Sequence, residues 1–290
     1  MDKIFNPYKS ALDGLKLKNP VRSFFDFCIE REKIRSKRES GLPAPWSKDI
    51  IFQKGRFLNV FREDDRVSKS IIQFIDQIKP DFSLLVQAVF FSRWCNRQET
   101  LDILKPKILN NPDELFKFLK RIKPWCNETA YPVDPVIWSN IKYSRLDAAT
   151  RVFHLAKEKL ASIIISSNGS VIDAVNEINN IFKMKNDFPI FMAVMDIAWF
   201  RPDIIKPNSN VPVGIGAVAY LDRLKSFLNV KTDEEVFHYM ISVQNKYWLK
   251  AKRKFFPIDI EYLSCECRKY YSYVNGTKQF EGKNLFKPKN

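Results

Sequence analysis

Glycine is scarce in this chain. Only 8 of 290 residues are Gly, under half the ordinary share of roughly 7%. Folds that cradle a phosphate or a dinucleotide need glycine where the backbone meets the pyrophosphate. The only close pair is Gly214 and Gly216, and neither GxGxxG nor GxxxxGK followed by Ser or Thr occurs. P-loop kinases and Rossmann oxidoreductases are set aside on that ground. Histidine is scarcer still, with His154 and His238 alone. His154 stands between Phe153 and Leu155 on an apolar stretch, where a hydrogen-bonded structural role outweighs that of a ligand. The five cysteines are odd in number, widely spaced and without a CxxC pair, which argues against a disulfide framework. Cys265-Glu266-Cys267 lacks the further ligands that a zinc centre needs, so no metal and no cofactor is expected. No run reaches the ~18 apolar residues of a membrane span. Phe188 to Phe200 comes closest and is interrupted by Asp196. The first twenty residues hold no apolar core of a secretory leader. The expectation is an intracellular, reduced protein with no membrane partner.

Positive charge, by contrast, is in excess. Lys and Arg number 48 against 33 Asp and Glu, a net +15, the imbalance of a protein that meets a polyanion. A coding bias toward A and T would enrich Lys, Asn, Ile and Phe, but it would raise Asp and Glu as well and does not account for the surplus. Nucleic acid is the favoured partner over an acidic protein or a membrane surface. A hydrophobic content of 45% with 24 Phe excludes disorder.

Periodicity is helical almost throughout. Phe24, Phe25, Cys28, Ile29 and Ile34 mark a helix from Arg22 to Arg38. It stops at Gly41, before the stiff turn Leu42-Pro43-Ala44-Pro45-Trp46, and Ser47 is expected to cap a short helix. Asp64 or Asp65 is expected to open the next. Phe82 to Cys95 reads as a buried helix, and Asn111-Pro112-Asp113-Glu114 as a helix start. Further helices are expected over 146–166, 171–182, 189–200, 216–230 and 258–275, and Thr232-x-x-Glu235 forms a capping box. Period-2 alternation is nearly absent. The expected fold is all-α, a single large helical domain over 21–276 with room for two lobes, between an N-terminal arm (1–20) and a basic tail (277–290).

Four segments place more charge beside aromatics than a core requires: Glu30 to Asp49, Gly55 to Val67, Arg93 to Arg97, and Glu261 to Tyr270. Guanidinium groups hold phosphate bidentately and aromatic faces stack on bases. From residue types alone, the favoured reading of any one segment is an ion-pair network between helices or a solvated face. Arg31, Arg35 and Arg38 recur at i, i+4 and i+7, which predicts one basic stripe serving one polyanionic group.

The same segments carry a resemblance. Glu30-Arg31-Glu32-x-Ile34-x-x-Lys37-Arg38-x-x-Gly41-x-Pro43-x-Pro45-Trp46-Ser47-x-Asp49 is followed by Arg56-Phe57-x-Asn59-Val60-x-Arg62-x-x-Asp65-Arg66-Val67. Then come Arg93-x-x-Asn96-Arg97-x-Glu99-Thr100, Phe191-x-Ala193-x-x-x-Asp196, Val213-Gly214-x-Gly216-Ala217 and Glu261-x-x-x-Cys265-Glu266-x-x-Lys269-Tyr270. Together they resemble the α-glutamyl/putrescinyl thymine pyrophosphorylase family, whose helical module also accompanies the 5-hydroxymethyluracil DNA kinases of bacteriophages. The resemblance spans residues 24–275. It implies hypermodification of thymine in viral DNA: a partner kinase activates 5-hydroxymethyluracil, and an amine, from an amino acid or polyamine, displaces the phosphate or pyrophosphate. DNA bearing the modified base, an amine co-substrate and a partner kinase are the implied partners. The implied setting is the cytoplasm of an infected host cell, or a nucleus. No kinase motif lies in this chain, so the phosphorylation must come from elsewhere. Two other readings stay open: a non-catalytic recognition module that partners the kinase, and a derived base-flipping glycosylase.

On chemical grounds the candidate catalytic residues are Glu30, Arg31, Asp65, Asp196 and Glu266, with a carboxylate such as Glu30 or Asp65 as base. Arg35, Arg38, Trp46, Asp49, Arg56, Phe57, Asn59, Arg62, Arg66, Arg93, Asn96, Gly214, Gly216, Lys269 and Tyr270 are the candidate substrate and DNA contacts. The order Asp187-Phe188-Pro189-Ile190-Phe191-x-Ala193, Asp196, Pro212-Val213-Gly214 and Asp222-Arg223-Leu224 distantly resembles the hairpin region of helix-hairpin-helix DNA glycosylases, which flip a base into a cleft. The hairpin glycines are replaced around Ile190 and Phe191, and Gly214 stands where those enzymes keep a catalytic Asp. The alternation of charge with Phe, Val and Leu from Arg56 to Arg66 predicts a cleft wall. Arg31, Arg56, Asn59, Arg62 and Asp65 are expected to converge there, with Glu30 and Glu266 nearby, around one extruded nucleotide.

Overall fold

Apolar residues spaced three and four apart become helices in the computed structural model, which describes residues 8, 11–78, 81–128, 133–282, 285 and 286. In chain order the helices are α1 (Pro20–Glu39), α2 (Ile50–Lys54), α3 (Arg66–Ile75), α4 (Phe82–Cys95), α5 (Gln98–Leu101), α6 (Pro112–Arg121), α7 (Arg145–Asp147), α8 (Phe153–Ser166), α9 (Val171–Phe182), α10 (Phe188–Phe200), α11 (Val218–Leu228), α12 (Asp233–Tyr247) and α13 (Pro257–Val274). A π-helical turn, Ala148–Val152, leads into α8. The fold is all-α but for one short hairpin that the alternation did not announce. Strands β1 (Val136–Trp138) and β2 (Ile141–Tyr143) pair antiparallel, with Val136 opposite Tyr143. Ser139 and Asn140 both take positive φ in the two-residue turn, the backbone that matches strand twist. No helix among the described residues is long and apolar enough to cross a membrane.

The chain divides into two compact units, one comprising residues to Asp64 and from Val213 onward, the other Asp65–Pro212. In the first unit, α1, α11, α12 and α13 pack on one another. Asn19 caps α1 by accepting from the Arg22 amide at 2.9 Å, with Pro20 as the first helical residue, where its missing N–H costs nothing. Helix α1 ends at Glu39 with Ser40 as its C-cap, and the chain turns away at Gly41, whose φ of +72° a residue with a Cβ tolerates poorly. Its buried face carries Phe24, Phe25, Phe27, Cys28, Arg31 and Ile34. Phe25 stacks on Tyr247 with centroids 5.1 Å apart, and Phe24 meets Phe255 edge-on at 6.2 Å. Each such ring contributes about 1.5–3 kcal/mol by leaving water. The capping box forms as expected: Thr232 Oγ1 accepts from the Glu235 amide and Glu235 Oε2 accepts from the Thr232 amide. Asp49, rather than Ser47, caps α2, accepting from the Ile51 amide at 2.8 Å.

The second unit is built on α4 and α10, both buried nearly all round. Phe90, Trp94, Phe153 and Phe182 form one aromatic cluster, with Trp94 and Phe153 edge-on at 4.8 Å. Asp81 and Ser170 cap α4 and α9 through the amides of Leu84 and Asp173. Asp65 occupies the N-cap position of α3 in extended backbone.

Candidate functional site

The first unit gathers residues from three distant stretches of chain around the extended segment Phe57–Val60. Arg31 sits within the apolar stripe of α1, one turn from Cys28 and from Ile34, and is only 6% exposed. Its guanidinium therefore reaches inward. Nε donates to the Leu58 carbonyl at 2.9 Å, and Nη2 donates to Asn59 Oδ1 at 2.8 Å and to the Phe57 carbonyl at 3.2 Å. On the other side, α13 closes the clamp. The Leu58 amide donates to Glu266 Oε2 at 2.9 Å, Lys269 Nζ donates to Glu266 Oε1 at 2.7 Å, and the Tyr262 hydroxyl donates to the carbonyls of Asn59 and Val60. Asn59 Nδ2 donates to the Asp64 carbonyl at 3.0 Å. A buried guanidinium and a buried carboxylate thus hold the two ends of one peptide group, and five backbone polar groups of a non-regular segment gain partners.

A second network runs along the adjacent turn. Ser47 Oγ donates to Glu30 Oε1 at 2.6 Å and accepts from the Asp49 amide at 3.1 Å. Tyr270 donates its hydroxyl to Asp49 Oδ2 at 2.5 Å. Burial, and then the carboxylate beside it, push the Tyr270 phenol well above its ordinary value, so it stays a donor. This network borders a pocket of about 320 Å³ walled by Ile34, Pro45, Trp46, Phe52 and Phe286, with Ser47 and Gln53 as its polar lining. Phe286 arrives from the far end of the chain. Its amide donates to the Lys54 carbonyl at 2.8 Å, next to a bridge between Gly55 and Leu285, and its ring meets Trp46 edge-on at 6.0 Å. Two α1 lysines stand at this turn: Lys37 Nζ donates to the Trp46 carbonyl at 2.8 Å, and Lys33 lies 3.9 Å from Glu30.

A third cluster surrounds Glu261, which is 4% exposed. Its Oε1 accepts from the Gly214 amide at 2.9 Å. Burial pushes this carboxyl up to about 7, against the lowering effect of the Gly214 hydrogen bond and of Arg62. Arg268 Nε donates to the Gly216 carbonyl at 3.1 Å. A Cβ on Gly216 would lie 2.6 Å from Cys265 Sγ, so glycine is what permits α13 to approach this loop.

A family model described as the 5-hmdU DNA kinase, helical domain, matches residues 18–279. The chain belongs to this family. No curated protein and no solved structure matches it.

The residues expected to converge are brought together only in part. Arg31, Asn59 and Glu266 meet at Leu58, with Lys269 beside them. Arg56 is exposed, Arg62 is half-buried near Glu261, and Asp65 and Arg66 begin the second unit. Glu30 faces the turn with Trp46, Asp49 and Tyr270 rather than the Leu58 clamp. The predicted arginine stripe is not a surface feature, which corrects the periodicity reading. Arg31 is buried, and Arg35 is held by Glu32 and Glu39 and lies 3.6 Å from Asp64, its charge fixed first by the Glu32 hydrogen bond. Arg38 alone of the three is exposed. Phe57 joins a ring cluster with Phe27, Phe52, Tyr270 and Tyr273. In the second unit, Arg93 and Asp196 form a bidentate ion pair between α4 and α10, each under 10% exposed, and Asn96 is the left-handed C-cap of α4. Gln53, Phe286, Lys33 and Lys37 were not singled out. Lys33 and Lys37, at i and i+4 on α1, carry a charge stripe that was as visible in the sequence as the arginine one. Phe286 had no local signal at all.

Proposed function

We propose that the protein modifies DNA carrying activated 5-hydroxymethyluracil, replacing its phosphate or pyrophosphate with an amine, as in the thymine pyrophosphorylases its motifs resemble. Family membership supports the link to hydroxymethyluracil in DNA, and the +15 charge supports a polyanionic substrate. The observation that carries the transferase reading is the chain Glu30–Ser47–Asp49–Tyr270 beside the aromatic pocket. Glu30 is half-buried, its side chain 32% exposed, and is joined to the pocket lining through Ser47. It takes the proton from the amine as nitrogen attacks the exocyclic CH2. The C–O bond breaks, and the leaving group departs with its electron pair. Lys33 and Lys37 offset the departing charge, and the uracil ring assists expulsion. No step requires a cofactor.

A second reading, a recognition module that serves a separate kinase, is favoured by one feature: Arg31, Glu266, Arg93 and Asp196 are all engaged in internal bonds. Phosphate or pyrophosphate release from activated DNA separates the two. The transferase reading expects release that depends on added amine and falls about 10²–10⁴-fold in Glu30→Gln, the usual contribution of a general base. DNA binding with no release supports the recognition module.

A further inference from the structure

The pocket between the proline turn and α2 is completed by Phe286, a residue of the C-terminal segment. We propose that it receives a single unpaired pyrimidine of DNA, with the base lying against the corner that the Trp46 and Phe286 rings form where they meet edge-on. This rests on the reading of the protein as one that acts on a DNA base, and it assigns the site where that base lodges. A volume of about 320 Å³ is at the small end of the ~300–1,000 Å³ typical of ligand sites. That is room for one base and not for a stretch of duplex. The walls are three aromatic rings, a proline and the aliphatic Ile34 and Ala44, which suits a planar uncharged heterocycle and is unsuited to an amino acid or polyamine, whose charges would be desolvated there.

The polar lining fits the edge of a uracil. Gln53 donates Nε2 to the Ser47 carbonyl at 2.9 Å, which sets its amide and leaves Oε1 as an acceptor suited to the imide N–H. Ser47 Oγ is already committed to Glu30 and to the Asp49 amide, so it orients the carboxylate and does not compete for the base. Lys37 donates to the carbonyl of the wall residue Trp46, an exposed cation within reach of the phosphate that flanks an extruded nucleotide. Phe286 is held to the body through the Lys54 carbonyl and the neighbouring Gly55–Leu285 bridge. The C-terminal segment thus acts as one wall of the base site.

The test is fluorescence-anisotropy binding to three DNAs of one sequence: fully paired, with one thymine opposite an abasic site, and with one 5-hydroxymethyluracil opposite an abasic site. Wild type is expected to prefer both unpaired forms. Trp46→Ala and Phe286→Ala are expected to weaken binding of the unpaired forms by about 5- to 150-fold, the range for loss of one base–aromatic stack, while binding of the paired duplex stays unchanged. Phe286→Leu keeps apolar bulk without the ring and is expected to fall in the same direction, which separates stacking from folding. If wild type binds DNA but the variants match it on every form, or lose paired and unpaired DNA equally, the pocket assignment is overturned. If wild type binds none of the three DNAs at low salt, the DNA reading itself fails, and the pocket assignment with it.

Discussion

Arg31 is the residue whose replacement best separates architecture from chemistry. Replacing it with Ala removes three hydrogen bonds from a charged donor and leaves the carbonyls of Phe57 and Leu58 and the amide oxygen of Asn59 without that partner. A net worth of about 1–1.5 kcal/mol for each bond gives a loss of about 3–5 kcal/mol, before any gain from water entering the space. For a chain of this size, 1 kcal/mol moves the melting temperature by about 2–4 °C, so the transition of the first unit should fall by about 6–20 °C. Arg31→Lys should recover little, since an ammonium on a flexible stem cannot replace a fork that spans three acceptors. Arg38→Ala, on the exposed end of the same helix, should cost under about 0.5 kcal/mol. Differential scanning calorimetry of the three variants checks this. A melting temperature for Arg31→Ala within about 2 °C of wild type, together with lost activity on DNA, would return Arg31 to the role of a substrate ligand and refute the clamp.

Other outcomes follow from the same geometry. Asp196→Asn or Arg93→Met should destabilise the second unit by about 3–5 kcal/mol, because each leaves a buried charge without its partner, whereas an apolar replacement of both should recover much of the loss; urea unfolding of the single and double variants measures it. Glu261 favours the protonated form in the fold: its carboxyl rises from 4.5 to about 7. Its stabilising share is complete below pH 4.5 and is lost as pH climbs through 7, so wild type should lose about 3 kcal/mol relative to Glu261→Gln between pH 4.5 and 8. A constant difference in unfolding free energy across that range would contradict it. Gly216→Ala should cost about 1–3 kcal/mol through overpacking against Cys265, and Cys265→Ala in the same chain should relieve it, read as a melting-temperature cycle. Binding to duplex DNA, if made through ~5 phosphates, should weaken with salt at a log–log slope of about −4 to −5; a slope near zero would remove the electrostatic contact.

Long periodic helices were legible because their signals are local. The bounds of α4 and α9 coincide with their apolar runs, and the Thr232–Glu235 box formed as its spacing implied. The hairpin was not legible, since three-residue strands offer too few alternations to register. The fate of the arginines was half-legible. Arg31 shares the stripe of Phe24, Cys28 and Ile34, which predicts burial, but the i, i+4, i+7 pattern of like charges drew the eye to the surface. Glu266 and Asn59 were expected near Arg31 and are there: Asn59 meets it side chain to side chain, whereas Glu266 is joined to it only through the Phe57–Leu58 peptide group, and side-chain patterns carry no record of which peptide group needs partners. The pocket is legible at the proline turn and Trp46. Its remaining wall comes from a tail without periodicity, and that is a matter of tertiary pairing alone.

Mass spectrometry of nucleosides tests the proposed chemistry most directly. DNA carrying phosphorylated or pyrophosphorylated 5-hydroxymethyluracil, incubated with the protein and a panel of amines, should yield a thymidine bearing one amine on its exocyclic carbon, with release of the phosphate group in equal amount. Recovery of the activated nucleoside unchanged with every amine, from DNA that the protein demonstrably binds, would contradict the transferase and leave a recognition domain.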